Sequence, residues 1–430
     1  MKSDGETEMR IGAVFTALLV GAILLTDLAA SFVFAFDGAE SAALVRRARE
    51  LFLIITACCG AFAMVRSKRF GLSDFFGAAY AATVIAYLAA FWLVDFGDEG
   101  ATPSAGVLLL PIIFVLCGHA LAAVGAWRID LVRVVVIYAA ASALFGLWEI
   151  QATEFWTETA RLPDYLRSVK GIDLGFEPLS GLPWNFFRTF DERRAAGLLA
   201  APLAQGPVLM IAAALCLIEA WRWRWFSAVL GALLMYGAIQ SGTRAAPLTF
   251  LLFVLLVAAV ETKRRISAMT AVVLLWVGAI FFFKDKIEDA VALADGSTIG
   301  HLQGLESSLA DLPSVFLTGA GLGAQGVIAG QEGRILIGGG ESGFFSIAFQ
   351  IGLPGAFTFA LFYGALLIEI WRGAHKTPEV RNMALLGLAM AANLFISDYL
   401  FTISGAGVLW LLLGFYQAQG RSEVAEQEAL

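Results

Sequence analysis

Apolar runs close to the length of a bilayer crossing recur along the whole chain, separated by short polar breaks. As α-helix, about 20 apolar residues cover the hydrocarbon core, and a lipid environment leaves helix as the natural way to satisfy the backbone. The pattern predicts spans at 11–34, 51–65, 75–96, 104–126 and 131–150. After a polar stretch it predicts further spans at 195–220, 225–240, 246–260, 266–283, 343–370, 383–401 and 407–417. The expected fold class is therefore an all-α polytopic membrane bundle of about twelve transmembrane helices. Several runs fall short of a full crossing, so tilted, re-entrant or merged pairs belong to that expectation.

Two connections are long, and they divide the chain. Helices 1–5 occupy 1–150, a loop 151–194, helices 6–9 195–283, a second loop 284–342, helices 10–12 343–418, and a polar tail 419–430. In the second loop Ile299, Leu302, Leu305, Leu309 and Leu312 recur at helical spacing up to Pro313. This predicts an amphipathic helix lying on the membrane interface. The two halves carry no matching pair of short helices broken by Gly or Pro, the mark of many secondary transporters.

Composition excludes the alternatives to a membrane protein. Hydrophobic residues make up 59% of the chain and charged residues 15%, which a water-soluble domain could not accommodate. With 29 basic against 36 acidic residues there is no broad basic surface, so nucleic acid is not an expected partner. Cys58, Cys59, Cys117 and Cys216 all lie in apolar runs and read as small buried hydrophobes. The first apolar run is too long for a cleaved signal core and is expected to remain as an anchor.

Basic residues mark alternate connections: Arg66, Lys68 and Arg69; Arg128 and Arg133; Arg222 and Arg224; Lys263 to Arg265; Arg372, Lys376 and Arg381. Lys- and Arg-rich short loops stay in the cytoplasm. Both termini are then cytoplasmic, and both long loops face the opposite side. Trp127, Trp221, Trp223, Trp225 and Trp371 suit the headgroup level on the cytoplasmic side.

Arginines facing outward break this bias and need a reason to be there. Arg193 and Arg194 precede the sixth span in Arg194-Ala-Ala-Gly197, followed by Pro202. Amides at a helix start beside a guanidinium make a natural anion site, with interfacial snorkelling or local pairing of Arg193 with Asp191 or Glu192 as the plainer account. Arg244 ends the very short link Ser241-Gly-Thr-Arg244, where Ser241 or Thr243 can cap the next helix and Pro247 fits its first turn. A phosphate or diphosphate would suit that fork-shaped cation, as would a buried carboxylate such as Asp27 or Asp398. Glu341 and Ser342 follow a glycine run at the start of the tenth span. Either residue can serve as an N-cap, and Glu341 can also serve as a general base. His301, on the interfacial helix, is the other candidate base, while His119 reads as a membrane-core histidine and His375 falls in a cytoplasmic loop. No outward-facing Asp, His and Cys cluster has metal-ligand spacing, and no cofactor is expected.

In order and spacing these segments resemble the O-antigen polymerase and O-antigen ligase superfamily of bacterial membrane enzymes. Arg194-x-x-Gly197 with Pro202 is similar to its Arg-x-x-Gly segment, and Ser241-Gly-Thr-Arg244-Ala to its short outer link. Gly319-x-Gly321, Glu341-Ser342 and Gln350-x-Gly352-x-x-Gly355 are similar to its Gly-x-Gly, His-Asn and Glu-x-Gly-x-x-Gly block. The resemblance covers about residues 185–360, and it implies glycosyl transfer from undecaprenyl diphosphate at the periplasmic face of the inner membrane. Where the ligases carry histidine as base this chain has Glu341, with no asparagine after it, which favours a polymerase of O-antigen or exopolysaccharide repeats. The implied substrate is an undecaprenyl-diphosphate-linked oligosaccharide, with chain-length and export proteins as partners. Arg194, Arg244 and Arg193 would bind the diphosphate, without a metal. A ligase, or a flippase of the same lipid-linked sugar, is the alternative.

Overall fold

The computed structural model describes residues 2–68, 70–94, 100–172, 180–189, 192–219, 224–260, 296–331, 335, 338, 342–373, 377–395 and 397–428. Almost all of their regular structure is helix, with one two-stranded ribbon. Five of the described helices are long and apolar enough to cross a membrane, or six if the bent first pair is one span. Among the described residues this is fewer than the expected twelve or so. The expected span 266–283 lies outside the described residues.

The first span is broken. Helix α1 (Lys2–Leu24) and α2 (Thr26–Asp37) meet at Leu25 with a bend of 69°. Asp27 sits in the first turn of α2. Helix α3 (Ala39–Ser67) has 29 residues. At 1.5 Å per residue it is about 44 Å long, more than the apolar core requires. Helices α4 (Leu72–Val94), α5 (Ala101–Ala123) and α6 (Arg128–Glu149) then cross back and forth. A π-turn at Phe155–Thr159 and α7 (Leu162–Lys170) fold over the end of α6. Three shorter apolar helices follow, α8 (Pro202–Ile218), α9 (Arg224–Gln240) and α10 (Ala245–Val260).

Helix α11 (Gly296–Asp311) occupies the position expected for the amphipathic helix. Its buried line is Gly304 and Ser308, whereas Leu305 and Leu309 are exposed. The remaining helices are α12 (Gly343–Gly373), α13 (Pro378–Ala391) and α14 (Ile403–Glu428). Residues expected as a short span at 407–417 form the middle of α14, and Ala406 to Tyr416 are buried there almost without interruption. An apolar helix wrapped on all sides is a core helix. Close approach to α5 depends on two residues without Cβ: a side chain on Gly118 would meet the Leu411 carbonyl, and one on Gly414 the Val115 carbonyl.

Helix α12 is also interrupted, at Ile351 and Gly352. Two of the described helices are thus broken, one at Leu25 and one at Gly352, without forming a matching pair in the two halves. The second break leaves backbone groups that segment 316–320 satisfies: Ala320 N–H donates to the Phe349 carbonyl (2.6 Å) and Leu353 N–H to that of Phe316 (2.9 Å). Gly352 is left-handed (φ 75°) and abuts the Leu317 carbonyl, so no other residue fits. Gln350 completes the junction by accepting from Gly323 N–H (3.0 Å) and donating to the Ser346 carbonyl (3.0 Å).

Opposite ends of the bundle carry different chemistry. At one end Gly12 of α1 packs on Ala126, and Arg421 of α14 pairs with Asp74 (2.8 Å) and Glu369 (2.5 Å). Glu369 also accepts from Ser73 and Gln417, and His119 bonds to Gln417 (2.9 Å), tying α4, α5, α12 and α14 together. Exposed Trp127, Trp225 and Trp371 stand at this end. Of the cysteines, Cys117 and Cys216 are buried, but Cys58 and Cys59 lie on an exposed apolar face of α3 rather than in the interior.

Candidate functional site

The other end of the bundle holds the arginine segments. A second apolar core forms there from α2, α3, α7 and the chain around 182–200, with Trp156, Tyr165 and Phe186 fully buried. Strands β1 (Phe187–Thr189) and β2 (Glu192–Arg193) make a short ribbon on it. Along an extended chain successive side chains point to opposite faces. This alternation separates Arg193 from Arg194.

Arg193 turns inward. Its Nη2 pairs with Glu149 Oε2 at 3.0 Å, and Nη1 donates to Thr153 Oγ1 at 2.7 Å. The guanidinium stacks 5.7 Å from the Phe186 ring centroid and 5.5 Å from that of Phe187. Burial pushes Arg193 below the usual guanidinium range, and the Glu149 charge opposes that. Glu149 is 0% exposed, and its carboxylate also accepts from Trp156 Nε1 (2.5 Å) and from the Ala196 amide (2.6 Å). Arg193, expected to bind substrate or pair with a chain neighbour, instead anchors this segment to the end of α6. Glu192 pairs with Arg188 (3.1 Å).

Arg194 turns the other way, toward the link between α9 and α10. Ala195 N–H donates to the Gln240 carbonyl (3.0 Å), and Thr243 Oγ1 to the Pro202 carbonyl (3.4 Å). A Cβ on Gly242 would stand 2.9 Å from Arg188 Nε and 3.0 Å from Arg194 Nε, so both guanidinium groups flank this glycine. The Arg194 segment and the 241–244 link, distant in sequence, are therefore brought into contact. Arg188 joins them.

Local details differ from the expected ones. Helix α8 begins at Pro202, so Arg194 is not at its N-terminus. Left-handed Gly197 (φ 57°) and Ala200 (φ 54°) delay the helix, with Pro202 opening it. A side chain on Gly197 would strike the Gln205 amide, which is fixed by Ser142: Ser142 Oγ donates to Gln205 Oε1 (2.7 Å) and accepts from Leu198 N–H (2.8 Å). The hydroxyls of the link bond to the end of α9 and the start of α8. Ser241 Oγ donates to the Ala238 carbonyl and accepts from Thr243 N–H, so both hold the link. Arg244 stands exposed just before α10, with Pro247 in the first turn. Asp27, considered as a partner for Arg244, pairs with Lys170 (2.8 Å).

Ser342 caps α12: its hydroxyl accepts from Phe345 N–H (3.4 Å) and donates to the Leu394 carbonyl (2.8 Å). Asn393 Nδ2 donates to Thr249 Oγ1 of α10 (2.5 Å). The start of α12 is thereby tied through the turn Ala392–Phe395 to the α10 turn following Arg244. Glu341 itself lies outside the described residues. His301 lies in α11, and its side chain is likewise outside them. Among the described residues no group of three His, Cys, Asp or Glu is arranged to hold a metal ion.

Sequence reading missed Glu149, Arg188 and the Ser142–Gln205 pair. A usable signal existed for Glu149: a carboxylate closing an apolar run needs a counter-charge, and the loop after it offers arginines. No protein-family model matches this chain, and no curated protein matches it.

Proposed function

We propose that this chain is a membrane glycosyltransferase, a polymerase-like member of the O-antigen polymerase and ligase superfamily, extending surface polysaccharide at the periplasmic face of the inner membrane. The observation that carries the reading is the meeting of Arg188 and Arg194 at Gly242, in the link that ends in Arg244. Clustered guanidinium groups, crowded at a helix-bundle end, suit a diphosphate.

In this reading the acceptor hydroxyl gives its proton to Glu341, or to His301, and its oxygen attacks the anomeric carbon of the donor sugar. The bond from that carbon to the phosphate oxygen breaks, and undecaprenyl diphosphate leaves with the electron pair. Arg194 and Arg244 stabilise the charge that develops on it. Arg193 acts as a positioning residue through its pair with Glu149. Both termini are cytoplasmic, an orientation supported by Lys68, Arg128 and Arg372 near the end where the chain begins and finishes.

Arg244→Ala and Arg244→Lys should both abolish polymer while the protein still inserts and accumulates, because lysine keeps the charge but loses the bidentate fork. Chain-length profiles of surface polysaccharide check this. Normal polymer in the alanine variant removes Arg244 from the site. The two broken helices favour a second reading, a flippase of the same lipid-linked sugar. A deletion strain separates them: loss of a polymerase leaves single repeats at the surface, and loss of a flippase leaves none.

A further inference from the structure

A second group of cations stands at the same end of the bundle, away from Gly242. Because α3 outruns the apolar core, its first turns project to headgroup depth, and Arg49 lies just before the apolar run that opens at Leu51. Arg46 and Arg49, three residues apart, share a helix face. Arg46 Nη1 donates to the Val169 carbonyl (3.1 Å) near the end of α7, and the next residue, Lys170, reaches Asp27.

Among the described residues the charges do not balance. Lys170, Arg49 and Arg46 all act electrostatically on the single carboxylate of Asp27, which also accepts from Tyr165 OH (3.1 Å). Glu50, a further described anion, is half-exposed and 3.5 Å from Arg49. Arg49 is only 9% exposed, and the Nε atoms of Arg46 and Arg49 are buried with no hydrogen-bond partner among the described residues. Buried guanidinium donors left unused are costly unless something accepts from them. Leu44 and Leu51 are exposed on the face of α3 turned away from these arginines, and Phe36 is exposed at the end of α2. Acyl chains would cover such a surface at this depth.

We infer that Arg46, Arg49 and Lys170 form a second anion site, which holds the phosphate of a lipid headgroup. Asp27 is the internal counter-ion that this phosphate competes with. The site stands on its own geometry, whatever reaction occurs at Gly242. In the polymerase reading it would suit the diphosphate of the second lipid-linked unit.

The test uses the full chain purified in mild detergent and titrated with phosphatidylglycerol, with bound lipid read by native mass spectrometry. The expected result is a saturable lipid on the wild-type protein, weakened at least about tenfold in the Arg46→Gln/Arg49→Gln variant as two charge-assisted bonds are lost. Asp27→Asn should bind more tightly than wild type, since it removes the competitor without disturbing the arginines. Equal binding by wild type and the double variant overturns the inference, as does weaker binding by Asp27→Asn. Inorganic pyrophosphate supplies the second arm: displacement of the lipid at equal concentration shows that free phosphate is the ligand and refutes the lipid assignment. If the double variant fails to accumulate, Asp27→Asn and Lys170→Gln carry the comparison, with Lys170→Gln expected to weaken binding.

Discussion

Glu149→Ala is expected to be the most damaging single change in the chain. It would strip an ion pair from Arg193, whose side chain is 8% exposed, and leave the Trp156 indole and Ala196 amide without their acceptor. Breaking a buried pair from one side costs about 3–5 kcal/mol, and each orphaned donor adds about 1–3 kcal/mol. That sum approaches the whole stability of an ordinary domain, about 5–15 kcal/mol. The protein should therefore fail to accumulate, or unfold far below wild type in a detergent thermal melt. Glu149→Gln keeps one acceptor oxygen and should fall between. The double change Glu149→Leu/Arg193→Met should recover stability relative to Glu149→Ala, because it removes both charges together. A melt of Glu149→Ala close to wild type would show that the Arg193 segment is held by something else.

Much of the helical framework was legible because an apolar run reports its own length. Helices α4, α5, α6 and α9 fall within a few residues of their expected spans. The breaks were not legible. The bend at Leu25 depends on α2 packing against α3 and the chain around 182–187, which leaves no local signature, and although Gly352 and Pro354 mark the second kink, the loop that fills it comes from a distant segment. In the site, Arg194 and the 241–244 link each stand out in the sequence as charged breaks between apolar runs, and the fold brings them together. The division of labour between Arg193 and Arg194 does not stand out, because it is decided by strand alternation against a carboxylate on α6.

Glu341→Gln is expected to have the largest effect on turnover. Glutamine preserves size and hydrogen-bonding but cannot accept the acceptor proton, and loss of a general base lowers rate by about 10²–10⁴-fold. Ser342 already caps α12, so Glu341 is not required for that task. If Glu341 served only the helix start, its amide would cost no more than about 1 kcal/mol of local stability and leave turnover near normal. His301→Ala, compared at equal protein, decides between the two candidate bases. Near wild-type activity in Glu341→Gln with none in His301→Ala would move the role to His301, and loss in both would indicate a shared relay.

The most direct measurement is reconstitution of the purified wild-type chain in nanodiscs with a defined undecaprenyl-diphosphate-linked repeat unit, with products resolved by length. A ladder of lipid-linked polymers and release of undecaprenyl diphosphate are expected, both absent from the Arg194→Ala and Arg244→Ala proteins. Unchanged single repeats with the wild-type chain, under conditions where the protein is folded and binds the substrate, would contradict the polymerase reading.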